Sequence, residues 1–115
     1  MQIFHDEHLS IDWSAVRFDN VKLTLTRKEF ELLAMLSQNE GETIPRAVLL
    51  ETIWGYRIGT RTRTLDVHVR RLRRKLGQYG EEYIQTIFGV GYRFARLRAP
   101  RPLVMPVPAT YAIGT

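Results

Sequence analysis

Between Arg57 and Lys75 the chain places seven arginines and one lysine against a single acid, Asp66. Five of these arginines fall in one stretch, Arg63-Thr64-Leu65-Asp66-Val67-His68-Val69-Arg70-Arg71-Leu72-Arg73-Arg74-Lys75-Leu76. A guanidinium stays charged at any physiological pH and presents its donors as a planar fork, so it grips phosphate oxygens and the guanine edge through paired hydrogen bonds. Leu65, Val69, Leu72 and Leu76 recur at i, i+4, i+7 and i+11, which predicts a helix over about 63–77, ended by Gly77, with one core-facing stripe. At about 100° per residue, Arg63, Val67, Arg70, Arg71 and Arg74 project away from that stripe. Arg73 and Lys75 lie on its flanks. Val67, the lone apolar residue among the arginines, suits a thymine methyl or is simply a tolerated exposed valine. Asp66 either accepts from a base or favours the helix dipole, and its place near the helix start favours the dipole.

The charge of the whole chain is arranged around that helix. The 115 residues carry a net +5. Residues 1–56 hold five Lys/Arg against nine Asp/Glu, and residues 57–115 hold twelve against three. An acidic half joined to a concentrated basic stripe is the electrostatic footprint of a polyanion binder. The length suits one domain with a modest core. Cysteine is absent, which excludes disulfides, cysteine-ligated zinc and thiol nucleophiles. No apolar run reaches membrane-spanning length. Residues 2–12 carry Asp6, Glu7 and Asp12, unlike a signal peptide. These features point to a cytoplasmic protein.

Enzymatic chemistry finds no support. There is no phosphate-cradling glycine loop, nucleophile elbow or acid–base pair. Gly89 and Gly91 belong to a hairpin, not to a strand-to-helix turn. His5-Asp6-Glu7-His8 fits no established metal-ligand spacing, so neither metal nor cofactor is expected. His68, beside the buried stripe, reads as a packed, hydrogen-bonded histidine.

The remaining elements must position the basic helix. Ile3-Phe4, Leu9–Ile11, Ala15–Phe18 and the alternating Val21–Leu25 read as short strands, with a turn at Asp19-Asn20, giving a small antiparallel sheet. Thr26-Arg27-Lys28-Glu29 fits a capping box, and Leu25 and Phe30 fall at its staple positions. The first helix buries Phe30, Leu33, Ala34 and Leu36, with Gly41 just past its end. A second helix is expected from about Pro45 to Trp54, with proline at its first position and Val48, Leu49, Leu50, Ile53 and Trp54 on its apolar side. Residues 55–62 form a loop. After the third helix, Tyr83–Ile87 and Gly91–Ala95 form a hairpin around Phe88-Gly89-Val90. The domain is set at residues 1–97. Residues 98–115 hold four of the chain's five prolines and read as a tail or linker.

This order resembles the C-terminal effector domain of the OmpR/PhoB family of bacterial response regulators. The blocks that carry the resemblance are Leu25–Leu33, Trp54-Gly55, Arg63–Leu76 and Gln85–Phe94, covering roughly residues 3–95. It implies an α+β fold, a winged helix-turn-helix with an N-terminal sheet, three helices and a C-terminal hairpin wing. It also implies sequence-specific binding to double-stranded DNA and transcription regulation. Arg70, Arg71 and Arg74 become candidates for base contact, with Arg71 foremost. Trp54, Arg63, Arg73, Thr86 and Tyr92 match positions that contact phosphates, with plain packing the competing role of each; Trp54 and Tyr92 suit core anchors that donate outward. Thr64, Val67 and Phe88 complete the candidate set. Two departures stand out: Pro45 where the family often has Ser or Thr, and Phe88 where many members have an arginine that probes the minor groove. An aromatic there suits a wedge against sugars, or marks a wing that adds less affinity.

The resemblance further implies a head-to-tail pair on tandem half-sites and contact with RNA polymerase through loop 55–62. The family's phosphorylated receiver domain has no room in this chain, which reads as an excised output domain or a stand-alone regulator. Three rival readings are a protein-interaction module that kept the fold and lost DNA binding, an RNA-binding domain, and a membrane-surface helix. The last would need a larger apolar face lacking a tertiary partner.

Overall fold

The computed structural model describes residues 1–97. The chain opens with four short strands, β1 (Gln2–His5), β2 (Leu9–Asp12), β3 (Val16–Phe18) and β4 (Val21–Lys22), joined in sequence order into one antiparallel sheet. Asp19 and Asn20 both take positive φ, 49° and 66°, as a tight hairpin turn requires. The alternating run Val21–Leu25 is a strand only over its first two residues. Thr24, Leu25 and Thr26 instead lead into a helix whose N-terminus competes for that backbone.

Helix α1 spans Arg27–Gln38. Its capping box forms as expected: the Glu29 amide donates to Thr26 Oγ1 at 3.2 Å, and the Thr26 amide donates back to Glu29 Oε1 at 2.8 Å. The buried stripe is Leu32, Leu33, Ala34 and Leu36, not one that starts at Phe30. Phe30 is half-buried because it lies under the exposed Trp13 ring, edge-on at 6.0 Å. Gly41, at φ 85°, sends its amide to the Phe94 carbonyl at 2.7 Å and so turns the chain onto the second sheet.

That second sheet corrects the expectation of a simple hairpin. Strand β5 (Thr43–Pro45) precedes α2, and it pairs with β7 (Gly91–Phe94), which pairs with β6 (Ile84–Ile87). Pro45 is therefore the last strand residue and the N-cap of α2 (Arg46–Trp54), not its first helical residue; its ψ of 145° is extended. A proline is tolerated there because β5 is an edge strand. Opposite it, Gly91 is compulsory: a Cβ would lie 2.0 Å from the Ile44 carbonyl oxygen. Within α2, Leu49, Leu50 and Ile53 are buried, whereas Val48 is exposed and Trp54 half-buried.

Helix α3 spans Thr64–Lys75, shorter at both ends than the expected 63–77. Leu65, Val69, Leu72 and Leu76 are all fully buried, as their spacing requires. A 3-10 turn (Gly77–Tyr79) follows. A short α4 (Gly80–Tyr83) then makes a fourth helix where strand and loop were expected. Gly80 lets α4 touch α3 backbone to backbone, since a Cβ would lie 2.2 Å from the Arg73 carbonyl oxygen. Tyr83 sits in this helix, not in β6. Its ring stacks on Phe94 and its hydroxyl donates to both Asp6 carboxylate oxygens at 2.8 Å. Burial and that carboxylate push the Tyr83 hydroxyl well above its ordinary pKa, so it remains a donor.

The core runs from the first sheet, through α1 and α3, to the second sheet. The expected boundary at residue 97 and the 98–115 tail concern residues outside those described.

Candidate nucleic-acid interface

A rigid core presents the basic helix. Three buried aliphatic residues along α3 fix its rotation, so Arg63, Val67, Arg70, Arg71 and Arg74 face solvent together. Among the described residues, none of these four arginine side chains has a hydrogen-bond or ion-pair partner. The helix ends in Arg73, Arg74 and Lys75, where cations complement the macrodipole. An open groove beside this face is lined by Arg63, Val67, Arg70 and Arg74 together with Asp66, Glu81 and Tyr92.

Arg73 serves the fold. Its Nε and Nη2 donate to the Ile84 carbonyl at 2.8 and 2.6 Å, and Nη2 also donates to Thr86 Oγ1 at 2.7 Å. This arginine straps β6 to α3, and its guanidinium lies 5.7 Å from the Tyr92 ring centre. Thr86 and Arg73 thus meet each other.

Tyr92 is buried, and its hydroxyl donates to Asp66 Oδ1 at 2.5 Å. Burial and the Asp66 carboxylate push its pKa up to about 12. Asp66 also receives both terminal nitrogens of Arg46, at 3.0 Å for Nη2 to Oδ2. Desolvation raises the Asp66 pKa, but Arg46 and Tyr92 outweigh it and hold the carboxyl below its ordinary value. The same pairing raises Arg46. Asp66 is therefore a hub joining α2, α3 and β7, beyond the dipole role that its position in the helix suggested. Arg46 went unnoticed in the sequence. A cation at the first residue of a helix, where the dipole disfavours it, was the signal that it has an acidic partner.

On the other flank, the His68 ring meets Trp54 edge-on at 4.8 Å, and its Nδ1 lies 2.7 Å from the Thr64 carbonyl oxygen. His68 is thus the packed histidine expected. Thr64 Oγ1 lies 2.8 Å from Thr62 Oγ1, so this pair shapes the turn into α3. The loop between α2 and α3 turns at Gly55 and Gly59, both at positive φ, and leaves Ile58 74% exposed.

The wing tip is apolar and open. Phe88 is 90% exposed and Val90 47%. The Val90 amide donates to the Ile87 carbonyl at 3.0 Å, closing a turn with Gly89 at φ 76°.

His5, Asp6, Glu7 and His8 do not converge. Asp6 holds Tyr83 and caps the His8 and Leu9 amides, while His8 Nδ1 lies 2.6 Å from Asp19. Among the described residues no cluster of three or more His, Asp or Glu side chains is arranged to hold a metal. No described helix is long and apolar enough to cross a membrane.

Residues 20–94 match the family described as transcriptional regulatory protein, C terminal. The chain is similar to the transcriptional regulatory protein HprR of Escherichia coli (strain K12), 46% identical over 85 residues, which are 73% of this chain and 38% of that protein. It thus spans less than two fifths of that relative's length. Its fold is similar to that of response regulator DrrB, a Thermotoga maritima OmpR/PhoB homologue (TM-score 0.72, 33% identity, 81% of this chain and 44% of that one). It is similar again to the RstA DNA-binding domain of Klebsiella pneumoniae, solved in complex with the RstA box (TM-score 0.72, 28% identity, 80% and 95%). The chain belongs to the family of transcriptional regulatory protein C-terminal domains, and its fold is the winged helix of OmpR/PhoB-type response-regulator DNA-binding domains.

Proposed function

We propose that this domain binds duplex DNA sequence-specifically to regulate transcription, with α3 in the major groove. One observation carries the reading: four arginine side chains, three on one face of the rigidly packed α3 and one at its N-cap, none of them hydrogen-bonded or ion-paired with another described residue. An arginine neutralised by a protein carboxylate has little left for a polyanion, whereas these four keep their full charge and donor fork. Arg70, Arg71 and Arg74 read base edges, where a good paired contact discriminates by about 1–3 kcal/mol. Val67 lies among them for a thymine methyl. Arg63 and the Trp54 indole N–H take phosphates on one flank, and Arg73 with Thr86 takes them on the other. Tyr92 acts through Asp66 on the placement of the wing. Pairing of two copies head to tail on tandem half-sites, and contact of the exposed Ile58 loop with RNA polymerase, complete the assembly that a cytoplasmic regulator of this kind makes.

Fluorescence anisotropy on a mixed-sequence duplex at two salt concentrations tests the reading. Release of ~5 phosphate counterions gives log K against log salt a slope of about −4 to −5. Arg70→Ala/Arg71→Ala/Arg74→Ala should lose both affinity and slope. Equal binding by this variant, or no binding by the wild type at low salt, would sink the assignment of α3 as the reader.

A further inference from the structure

We propose that Phe88 is an apolar wedge that enters the minor groove beside the α3 site and partly unstacks one base step, so that the domain selects a flexible pyrimidine–purine step there. The inference rests on the reading of α3 as the DNA-contacting helix.

Three contacts tie the base of the wing to the basic helix and its neighbour. Arg73 holds the Ile84 carbonyl and Thr86, Tyr92 holds Asp66, and the Arg46 amide donates to the Val90 carbonyl at 3.1 Å. The wing therefore cannot swing freely, and its tip has one place relative to the α3 arginines. Thr86 marks the edge of the α3 face. Two residues of extended chain beyond it put Phe88 about 7 Å further out. With α3 in the major groove, a projection past its flank crosses one phosphate ridge and meets the adjacent minor groove.

The chemistry of the tip selects what it does there. From Thr86 to Gly91 the sequence is Thr-Ile-Phe-Gly-Val-Gly, with no charged residue. This tip adds nothing to phosphate neutralisation. Gly89 at positive φ, with Phe88 in the preceding turn position, makes a type II corner. Nothing lies within 4 Å of a Cβ placed on Gly89, so no described part of the protein covers the corner. Phe88 is left 90% exposed on a fixed arm. A large aromatic ring on such an arm gains free energy only by leaving water, and the sugars and base faces of a minor groove supply an apolar surface. Unstacking costs least at TA and CA/TG steps, which turns an apolar contact into a sequence preference without any base-edge hydrogen bond.

The test uses the half-site that the wild-type domain recovers from a random duplex pool. 2-Aminopurine, dark when stacked, is placed at each step about half a helical turn (~5 bp) from the centre of the site. Wild type should light one step and enrich pyrimidine–purine there. Phe88→Ala should abolish both and lose roughly 10-fold in affinity, with its salt slope and its preferences in the major-groove positions unchanged. Phe88→Leu should keep the unstacking signal. Phe88→Arg should recover affinity with a steeper salt slope by about one and with no unstacking. No fluorescence change with the wild type, or an unchanged step preference in Phe88→Ala, overturns the wedge. So does a loss confined to cooperativity between two adjacent half-sites, which would make a second copy the partner of the tip. If arginine-dependent binding persists in either case, only the wedge falls. If the wild type fails to bind duplex DNA at all, the reading of α3 falls with it.

Discussion

The Tyr92 hydroxyl donates to Asp66 at 2.5 Å, and this one bond joins the central strand of the wing to the first turn of the basic helix. Asp66 is the only acid within the basic stretch, and it lies at the start of the helix proposed to meet DNA. Its carboxylate is spent on Arg46 and Tyr92, so it shapes the face instead of repelling DNA.

Tyr92→Phe should cost about 1 kcal/mol of stability, the net value of one hydrogen bond. For a domain of this size that lowers Tm by about 4–8 °C. Asp66→Ala removes a negative charge from the DNA face, so electrostatics alone would raise affinity. We expect affinity for the selected half-site to fall, because Arg46 and Tyr92 lose the partner that aligns the wing. Anisotropy at fixed salt decides between the two, and a rise in affinity would reduce Asp66 to a local charge.

Arg73 and Arg71 should separate by readout. Arg73→Ala releases β6 from α3 and should lower stability by about 1–2 kcal/mol in urea unfolding. The Arg71 side chain is exposed and has no hydrogen-bond or ion-pair partner among the described residues, so Arg71→Ala should leave stability within about 0.5 kcal/mol of wild type while weakening DNA binding. Equal stability losses in both variants would contradict the strapping role of Arg73.

Acid should loosen the junction of α1 and α3. Glu29 is 1% exposed and accepts Lys75 Nζ at 2.6 Å. Burial raises its pKa, but the Lys75 ammonium and the Thr26 amide outweigh that and hold it below the ordinary value. A carboxylate lowered on folding contributes stability that is full above its unfolded pKa of about 4.5 and is lost as pH falls through the folded value. Glu29→Gln should flatten this acid limb and destabilise at pH 7 by about 2–3 kcal/mol, since Lys75 loses its partner. Thermal melts from pH 7 to pH 3 provide the comparison, and an unchanged acid limb would exclude Glu29 as its source.

His8 should act with the opposite sign. Its hydrogen bond to Asp19 raises its pKa against a smaller desolvation effect. Its contribution is present below the unfolded value of 6.5 and is lost as pH rises through the higher folded value. His8→Gln should therefore remove a small stability change at neutral to mildly alkaline pH and leave the acid limb intact. NMR titration of the His8 ring checks the direction, and a midpoint at or below 6.5 would refute it.

Gly91→Ala and Gly80→Ala should each prevent normal folding or cost more than about 3 kcal/mol, because the new methyl meets backbone at 2.0 and 2.2 Å. Gly89→Ala meets open space and pays only for its positive φ, about 1 kcal/mol. Circular dichroism of the three variants tests the ranking, and a folded, stable Gly91→Ala would show that β5 yields more readily than the contact implies.

Local chemistry alone determined much of this protein. The Leu65, Val69, Leu72 and Leu76 spacing set which arginines face outward, because a helix of fixed period has one way to bury that stripe. The Thr26–Glu29 box marked the start of α1, and Asp19-Asn20 marked a turn, since both act within four residues. Tertiary structure decided the rest. Strand β5 exists because Thr43–Pro45 finds β7, nearly fifty residues away in sequence, and no three-residue run announces a partner that distant. The same run displaced Pro45 from helix to strand. Tyr83 became helical because Gly80 packs on the Arg73 backbone, a contact that only the folded chain supplies. Above all, the place of Arg46 at a helix start signals an acidic partner without naming Asp66 or adding Tyr92, since hydrogen-bond partners are chosen by where α2, α3 and β7 converge, and local spacing does not encode that convergence.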